Sequence, residues 1–341
     1  MKISPNFKKY FLRAVISALS LAITVFLLAL PFKQTQFLLL RAAHQNEKNL
    51  ETKIAAYQKF VKKYPYYISP RLKLAWFYAQ LSYGNPAQRA YYNNAIEQYQ
   101  IILKLNAENK IAMASLADLY SWDKKFTDAE KLLEKLLKLY PKDAWYHFKI
   151  ALNYLYQGMD EKAQDEAKLS LSLNPRNSGA HLVLGSLYEK KENIPAALAE
   201  YKAALQAVID SKQYNQEIDA RLRLGRMYFK AGLIFDGVQE FEKVTKISPR
   251  FIEGYLELAN AYYYLGLFDK SISTLNSALK ISIGIPHAYR MLGLCYLRKT
   301  DYIASLAYFK KAQALGVQLD VKFIEALEQA AKEQQKKQKT P

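Results

Sequence analysis

Cysteine is almost missing: Cys295 is the one example in 341 residues, so no internal disulfide can staple the fold and thiols do not report the redox compartment. Histidine is nearly as scarce. His44, His147, His181 and His287 stand far apart, with no His-Glu-x-x-His helix and no cysteine pair, so zinc-ligand spacing is absent. There is no Gly-x-Ser-x-Gly elbow, no glycine-rich phosphate loop and no dinucleotide fingerprint. Catalysis, a metal and a cofactor are therefore without support, and the chain reads as a non-enzyme with no cofactor. Acidic residues are outnumbered, 31 against 49 Lys and Arg, for a formal charge of +18. The excess forms no nucleic-acid motif, because both signs interleave, as at Glu189, Lys190, Lys191 and Glu192, and no basic-aromatic recognition sequence is present. No nucleic acid is expected. A solvated basic surface, anionic lipid headgroups or an acidic protein partner account for the charge.

What the chain has instead is a period. Residues 110–143, 144–177, 218–251, 252–285 and 286–319 align without gaps at a spacing of 34 residues. Place 7 of each window is aliphatic (Leu116, Ile150, Leu224, Leu258, Leu292), place 8 is small (Ala117, Ala151, Gly225, Ala259, Gly293) and place 11 is Tyr (Tyr120, Tyr154, Tyr228, Tyr262, Tyr296). Places 4, 7, 8 and 11 share one face of a helix, and the small residue lets a neighbouring backbone come close. A turn follows, marked by Gly158, Gly232 or Gly266. A second helix then carries, in the window 144–177, Ala163, Ala167 and Leu171 on one side before Pro175. Neither helix can bury its apolar face alone, and stacking the pairs makes one core. Cys295 falls in the first helix of the last window, where a buried small side chain is its expected role.

The small and aromatic places with a terminal Pro resemble the tetratricopeptide repeat. The resemblance covers residues 68–319 and implies an all-α, right-handed superhelical solenoid of seven helix-turn-helix repeats: 68–109, 110–143, 144–177, 178–211, 218–251, 252–285 and 286–319. Two insertions are expected at turns, Ser82 to Arg89 and Lys212 to Glu217, where extra residues cost little. A capping helix from Val321 to about Lys332 closes the stack within 320–341, and the basic tail beyond it frays. Upstream, 34–67 reads as a degenerate repeat, with a single helix carrying Leu40, Ala43, Leu50, Ile54, Tyr57 and Val61 on one stripe as the alternative.

Ahead of the repeats, 14–32 is a run of 19 residues without a charge, enough to span a hydrocarbon core. No Ala-x-Ala-like cleavage site follows, so the segment reads as a retained signal anchor, one transmembrane helix preceding the solenoid. Lys2, Lys8, Lys9 and Arg13 make 1–13 a basic cytoplasmic N-terminus, and the repeats then face the opposite side. The expectation is a single-pass protein of a bacterial inner membrane with its repeats in the periplasm. A mitochondrial outer-membrane import receptor has a similar arrangement and is the eukaryotic alternative.

In this family the concave wall is built by places 2, 5, 6, 9, 12 and 13 of the first helices. Here they supply aromatic and aliphatic residues early (Leu72, Trp76, Ile111, Trp122, Trp145, Phe148, Leu152, Tyr156) and polar ones later. The later set contains Asp219, Arg223, Arg226, Lys230, Glu253, Glu257, Tyr263, Tyr264, His287, Arg290 and Arg298. The expected ligand is a protein or peptide held along this groove, its apolar part on the Trp side and its acidic part on the Arg side. The alternative placement folds some of the aromatics back on neighbouring helices. No Lys stands at place 5, so the carboxylate clamp by which some family members hold chaperone tails is not matched. The functional expectation is a membrane-anchored scaffold or assembly factor. A chaperone-like or accessory subunit of an envelope secretion, biogenesis or polysaccharide machine is the alternative.

Overall fold

The structure, a computed structural model, describes residues 49–82, 89–212 and 214–339. Sixteen α-helices and no strand occur among the described residues. The chain divides into two compact units, one ending at Pro141 and one beginning at Lys142. The first holds α1 (Leu50–Lys63), α2 (Ile68–Ser82), α3 (Arg89–Leu105), α4 (Lys110–Trp122) and α5 (Phe126–Leu139). The second opens with α6 (Ala144–Gln157), α7 (Asp160–Leu173), α8 (Ser178–Lys190), α9 (Ile194–Asp210) and α10 (Tyr214–Lys230). It continues with α11 (Ile234–Ile247), α12 (Ile252–Tyr264), α13 (Phe268–Ile281), α14 (Pro286–Arg298), α15 (Tyr302–Ala314) and α16 (Val321–Lys339). Within each unit every helix packs against the next in sequence.

Local chemistry sets where the helices begin and turn. Asn109, Asp143 and Asn177 precede α4, α6 and α8, and each side chain accepts a backbone N–H of the first turn. Place 15, between the two helices of a pair, is left-handed in the six repeats from residue 110 on: Gly158, Gly232 and Gly266 reach it at φ 74, 76 and 73°, and Lys124, Glu192 and Thr300 at 60, 57 and 57°. Glycine takes this conformation freely, whereas a side chain is strained in it.

The core follows the repeat places, with one refinement. Leu116, Ile150, Leu184, Leu224, Leu258 and Leu292 at place 7 are buried, and so are Leu133, Ala167, Tyr201, Phe241, Leu275 and Phe309 at place 24. The small residue at place 8 implies a close approach of backbone, but at three glycines the neighbour is the aromatic ring at place 24 of the same pair. A Cβ at Gly185 would stand 2.5 Å from the Tyr201 ring, at Gly225 2.6 Å from Phe241, and at Gly293 2.9 Å from Phe309. Where place 24 is Leu133, Ala167 or Leu275, place 8 is Ala117, Ala151 or Ala259 instead. In these pairs the two places share one volume, although Ala75 opposite Tyr99 in the 68–109 repeat shows that an alanine can also stand beside a ring. Place 20 makes the backbone approach: Ser271 and Ser305 donate Oγ–H to the carbonyls of Ala259 and Gly293 at 2.8 Å.

Three further expectations differ from the structure. Lys212 to Glu217, expected as a loop, is helical from Tyr214 on, where α10 begins. The capping helix does not end near Lys332 but runs to Lys339. Asn49 caps α1 with an extended backbone (ψ 115°), so the stripe from Leu40 to Val61 is not one uninterrupted helix. Residues 1–48, with the basic N-terminus, the span 14–32 and the first half of 34–67, lie outside the described residues, as does most of the loop from Ser82 to Arg89.

The single-pass inner-membrane placement is corrected. No helix of the described residues is long and apolar enough to cross a membrane. Such a span needs about 20 apolar residues, whereas the longest described helix, the 19-residue α16, is rich in Lys, Glu and Gln.

Candidate protein-binding surfaces

In the first unit the two tryptophans have different settings. Trp76 on α2 is half exposed, with the Lys73 ammonium 4.7 Å from its ring centre and the Phe77 ring at 5.4 Å. Trp122 closes α4 and folds back onto the buried Tyr92 of α3, ring centres 5.7 Å apart. Arg89 covers the Tyr92 ring at 4.4 Å and grips Asp123 through two hydrogen bonds of 2.5 and 2.9 Å. That fork holds the Asp123 carboxyl well below the usual carboxylate range, Lys125 and Tyr92 adding to it against the effect of burial. Trp122 therefore helps fasten the α3–α4 contact while keeping one face in solvent.

In the second unit Trp145, Phe148, Leu152 and Tyr156 recur at intervals of three and four along α6 and form one stripe. Its ends are open, Trp145 at 42% and Tyr156 at 58% exposure. Its middle is not. Phe148 and Leu152 pack against the cluster of Ala151, Val183 and Leu184. A Cβ at Gly179 would meet the Phe148 ring at 2.5 Å, so the ring fills the space left by that glycine. These two residues, expected on the ligand-facing wall, are partly buried and join neighbouring pairs. Lys149 lies over Trp145 at 4.7 Å, leaving an aromatic platform with a cation beside it.

The polar stretch is a network rather than a bank of free cations. Lys230 donates to Glu189 at 2.5 Å, and Tyr201 donates to the same carboxylate at 2.8 Å. Arg223 pairs with Asp219 at 3.0 Å and reaches Ser186 at 3.5 Å. Arg226 clamps Glu257 at 2.7 Å and also pairs with Glu253. Burial opposes charge on Glu189, but Lys230 and Tyr201 outweigh it and lower its pKa; burial, with Glu189 as acceptor, pushes the Tyr201 hydroxyl up to about 12. Arg298 donates Nε–H to the Tyr263 hydroxyl at 3.2 Å. Tyr264 stands 60% exposed against Phe229, ring centres 4.9 Å apart. Arg290 is exposed, and the His287 pKa is lowered by burial and then by Arg290. Arg223 and Asp219 are an i,i+4 pair on one helix, whereas the bonds of Arg226 and Lys230 to Glu257, Glu253 and Glu189 join positions 27 to 41 residues apart and were not legible as internal partners.

Among the described residues no group of three or more His, Cys, Asp or Glu is placed to hold a metal ion. Cys295 is buried and donates to Ser271 Oγ at 3.3 Å; burial pushes its thiol pKa up.

The sequence profile of the tetratricopeptide repeat matches residues 88–144, 148–212 and 256–316, more than half of the chain. A BBSome complex member BBS4 homolog of Drosophila melanogaster is 26% identical over 187 residues, 54% of this chain and 37% of that protein. Lipopolysaccharide assembly protein B of Escherichia coli K12 is 25% identical over 171 residues, 48% of this chain and 43% of that protein. The chain thus spans less than half the length of either relative. The solved structure of Pseudomonas aeruginosa pilF superposes with a TM-score of 0.54 at 16% identity, over 68% of this chain and 98% of pilF, a likeness of fold alone.

Proposed function

The chain belongs to the tetratricopeptide repeat family, and from that premise we propose that it is a protein-binding scaffold or assembly factor whose ligand docks on the outward aromatic face of α6. The observation that carries this is the pair Trp145 and Tyr156. Both stay open to solvent on one stripe while the core is already filled by places 7, 8, 20 and 24. Amphipathic rings held on a rigid helix lose little entropy on binding and commonly dominate interface energy. Trp76 offers a similar surface in the first unit. An assembly role is in keeping with the relative whose name places it in lipopolysaccharide assembly.

The polar wall gives the ligand a different character from the one the sequence suggested. Arg223, Arg226 and Lys230 are engaged by the chain's own carboxylates, so an acidic ligand would have to displace Glu189, Glu253 or Glu257. A neutral, hydrogen-bonding segment fits this wall better. The test is affinity capture on the full chain followed by titration of the captured partner against Trp145→Ala combined with Tyr156→Ala. The double variant is expected to lose about 2 kcal/mol or more, chiefly through faster dissociation. Phe148→Ala, which unseats a packing residue, serves as the structural control. Wild-type affinity in the Trp145/Tyr156 variant would move the ligand off α6.

A further inference from the structure

Place 4 of the first helix and place 23 of the second form a recurring polar pair inside a repeat. His147 meets Glu166 at 2.8 Å, His181 meets Glu200 at 2.7 Å, and Arg221 meets Glu240 at 2.5 Å. In the last of these the buried guanidinium is fully compensated: Nη1 faces Glu240, while Nε and Nη2 both donate to Glu217 at 2.9 and 2.6 Å. The same place in α2 is Arg71, with only 7% of its surface exposed, and its surroundings differ. Its place-23 partner is the neutral Gln98, whose Oε1 accepts from Nη1 at 2.6 Å. Nη2 donates to the Pro65 carbonyl at 2.8 Å. Nε is buried and has no hydrogen-bond partner. Arg71 forms no ion pair among the described residues.

A buried cation hydrogen-bonded only to neutral groups is costly and an unsatisfied N–H adds to the cost, so that burial lowers the Arg71 pKa against the attraction of Glu97. Arg71 lies in the wall of an open cleft of about 450 Å³ between α1, α2 and α3. Gln58 and Lys62 of α1 and Asn94, Glu97 and Gln98 of α3 also line it. Lys62 is exposed and adds a second positive charge; Glu97, also exposed, is the one acidic side chain in the lining. Helix α2 contributes places 4, 7 and 11 (Arg71, Leu74, Tyr78), not the Leu72 and Trp76 of its other face, so this cleft is separate from the aromatic surface.

We propose that the α1–α2–α3 cleft binds a carboxylate that compensates the Arg71 guanidinium as Glu217 compensates that of Arg221. The chemistry is a planar anion accepting from a guanidinium edge, with Lys62 as a second cation and the side-chain amides of Asn94 and Gln98 as further donors. The carboxylate comes from a small free acid or from the C-terminus of a partner chain.

The probes are sodium acetate, trialanine and trialanine amide, titrated into the full ¹⁵N-labelled chain while the arginine Nε–Hε resonances are followed, with Arg71→Lys assigning the signal. A saturable shift of the Arg71 resonance by acetate, absent with sodium chloride at equal ionic strength, is the expected result. If trialanine acts at lower concentration than acetate and its amide does not act, a chain terminus is the source; if trialanine is no better than acetate, a free acid is. Gln98→Glu supplies at Nη1 the carboxylate that Glu240 gives Arg221 and, by adding a negative charge beside the cleft, is expected to raise the melting temperature and weaken the titration. Glu97→Gln should tighten it. No saturable shift in the wild type, or an unchanged titration in Gln98→Glu, overturns the proposal.

Discussion

The shared volume of places 8 and 24 can be tested at the contact of Gly225 with Phe241 between α10 and α11. Gly225→Ala would gain about 1 kcal/mol of helix propensity if the new methyl met nothing. It instead meets Cε1, Cζ and Cδ1 of Phe241 at 2.6, 2.9 and 3.0 Å. Phe241 is 1% exposed and enclosed by Leu222, Val238, Val244 and Leu258, so relieving the clash means moving a ring through packed atoms. Overpacking of this kind costs about 1–3 kcal/mol, leaving a net loss of about 1 kcal/mol after the propensity gain. Phe241→Leu alone leaves a cavity beside Gly225 and costs about 1–2 kcal/mol. Together the two changes recreate the Ala/Leu combination of Ala117 with Leu133 and Ala259 with Leu275. The double variant should then be more stable than the sum of the single losses by about 1–2 kcal/mol. Repeat stacks can unfold in segments, so global melting should be paired with amide-exchange protection across 218–251. Strict additivity, or a Gly225→Ala protein more stable than wild type, would refute the shared-volume account.

Thr300→Gly should stabilise the turn between α14 and α15 by roughly 1 kcal/mol, since a β-branched residue is held there at φ 57°; an unchanged urea midpoint would argue against strain. His181 gives a pH dependence: burial works against its charge, but Glu200 on Nδ1 and the Pro175 carbonyl on Nε2 prevail and raise its pKa. Its contribution is complete below the unfolded value of about 6.5 and is lost as pH rises through the higher folded value, so urea stability should fall across that interval and Glu200→Gln should flatten the fall. Arg226→Ala should cost about 1 kcal/mol or less because the pair is solvent-screened, and it leaves Glu253 and Glu257 facing each other without a cation. Added salt should therefore raise the melting temperature of that variant more than that of the wild type, and equal salt responses would count against the clamp.

Much of the architecture is local information. The period of 34 residues, the alternation of two helical faces and the glycines at place 15 are properties of neighbouring residues, and they specify paired helices and which face of each is buried. The Gly/aromatic combinations at Gly185, Gly225 and Gly293 and the Ala/Leu combinations at Ala117 and Ala259 were also present in the sequence, where filling a shared volume links the two places. The candidate surface was legible only in part. Trp145 and Tyr156 remain open as the helical spacing implied, but Phe148 was taken up by the hollow at Gly179, and Arg226 by carboxylates 27 and 31 residues away. Arg71 differs from Arg221 already in sequence, with Gln98 for Glu240 and Tyr67 where Arg221 has Glu217 four residues earlier, but that its Nε is left buried without a partner follows only from the packing. Periodicity determines which side chains share a face, because a helix fixes the directions of its Cα–Cβ bonds. Which of them stay free is decided between helices, where rotamer, register and charge compensation are settled only once the pairs are packed.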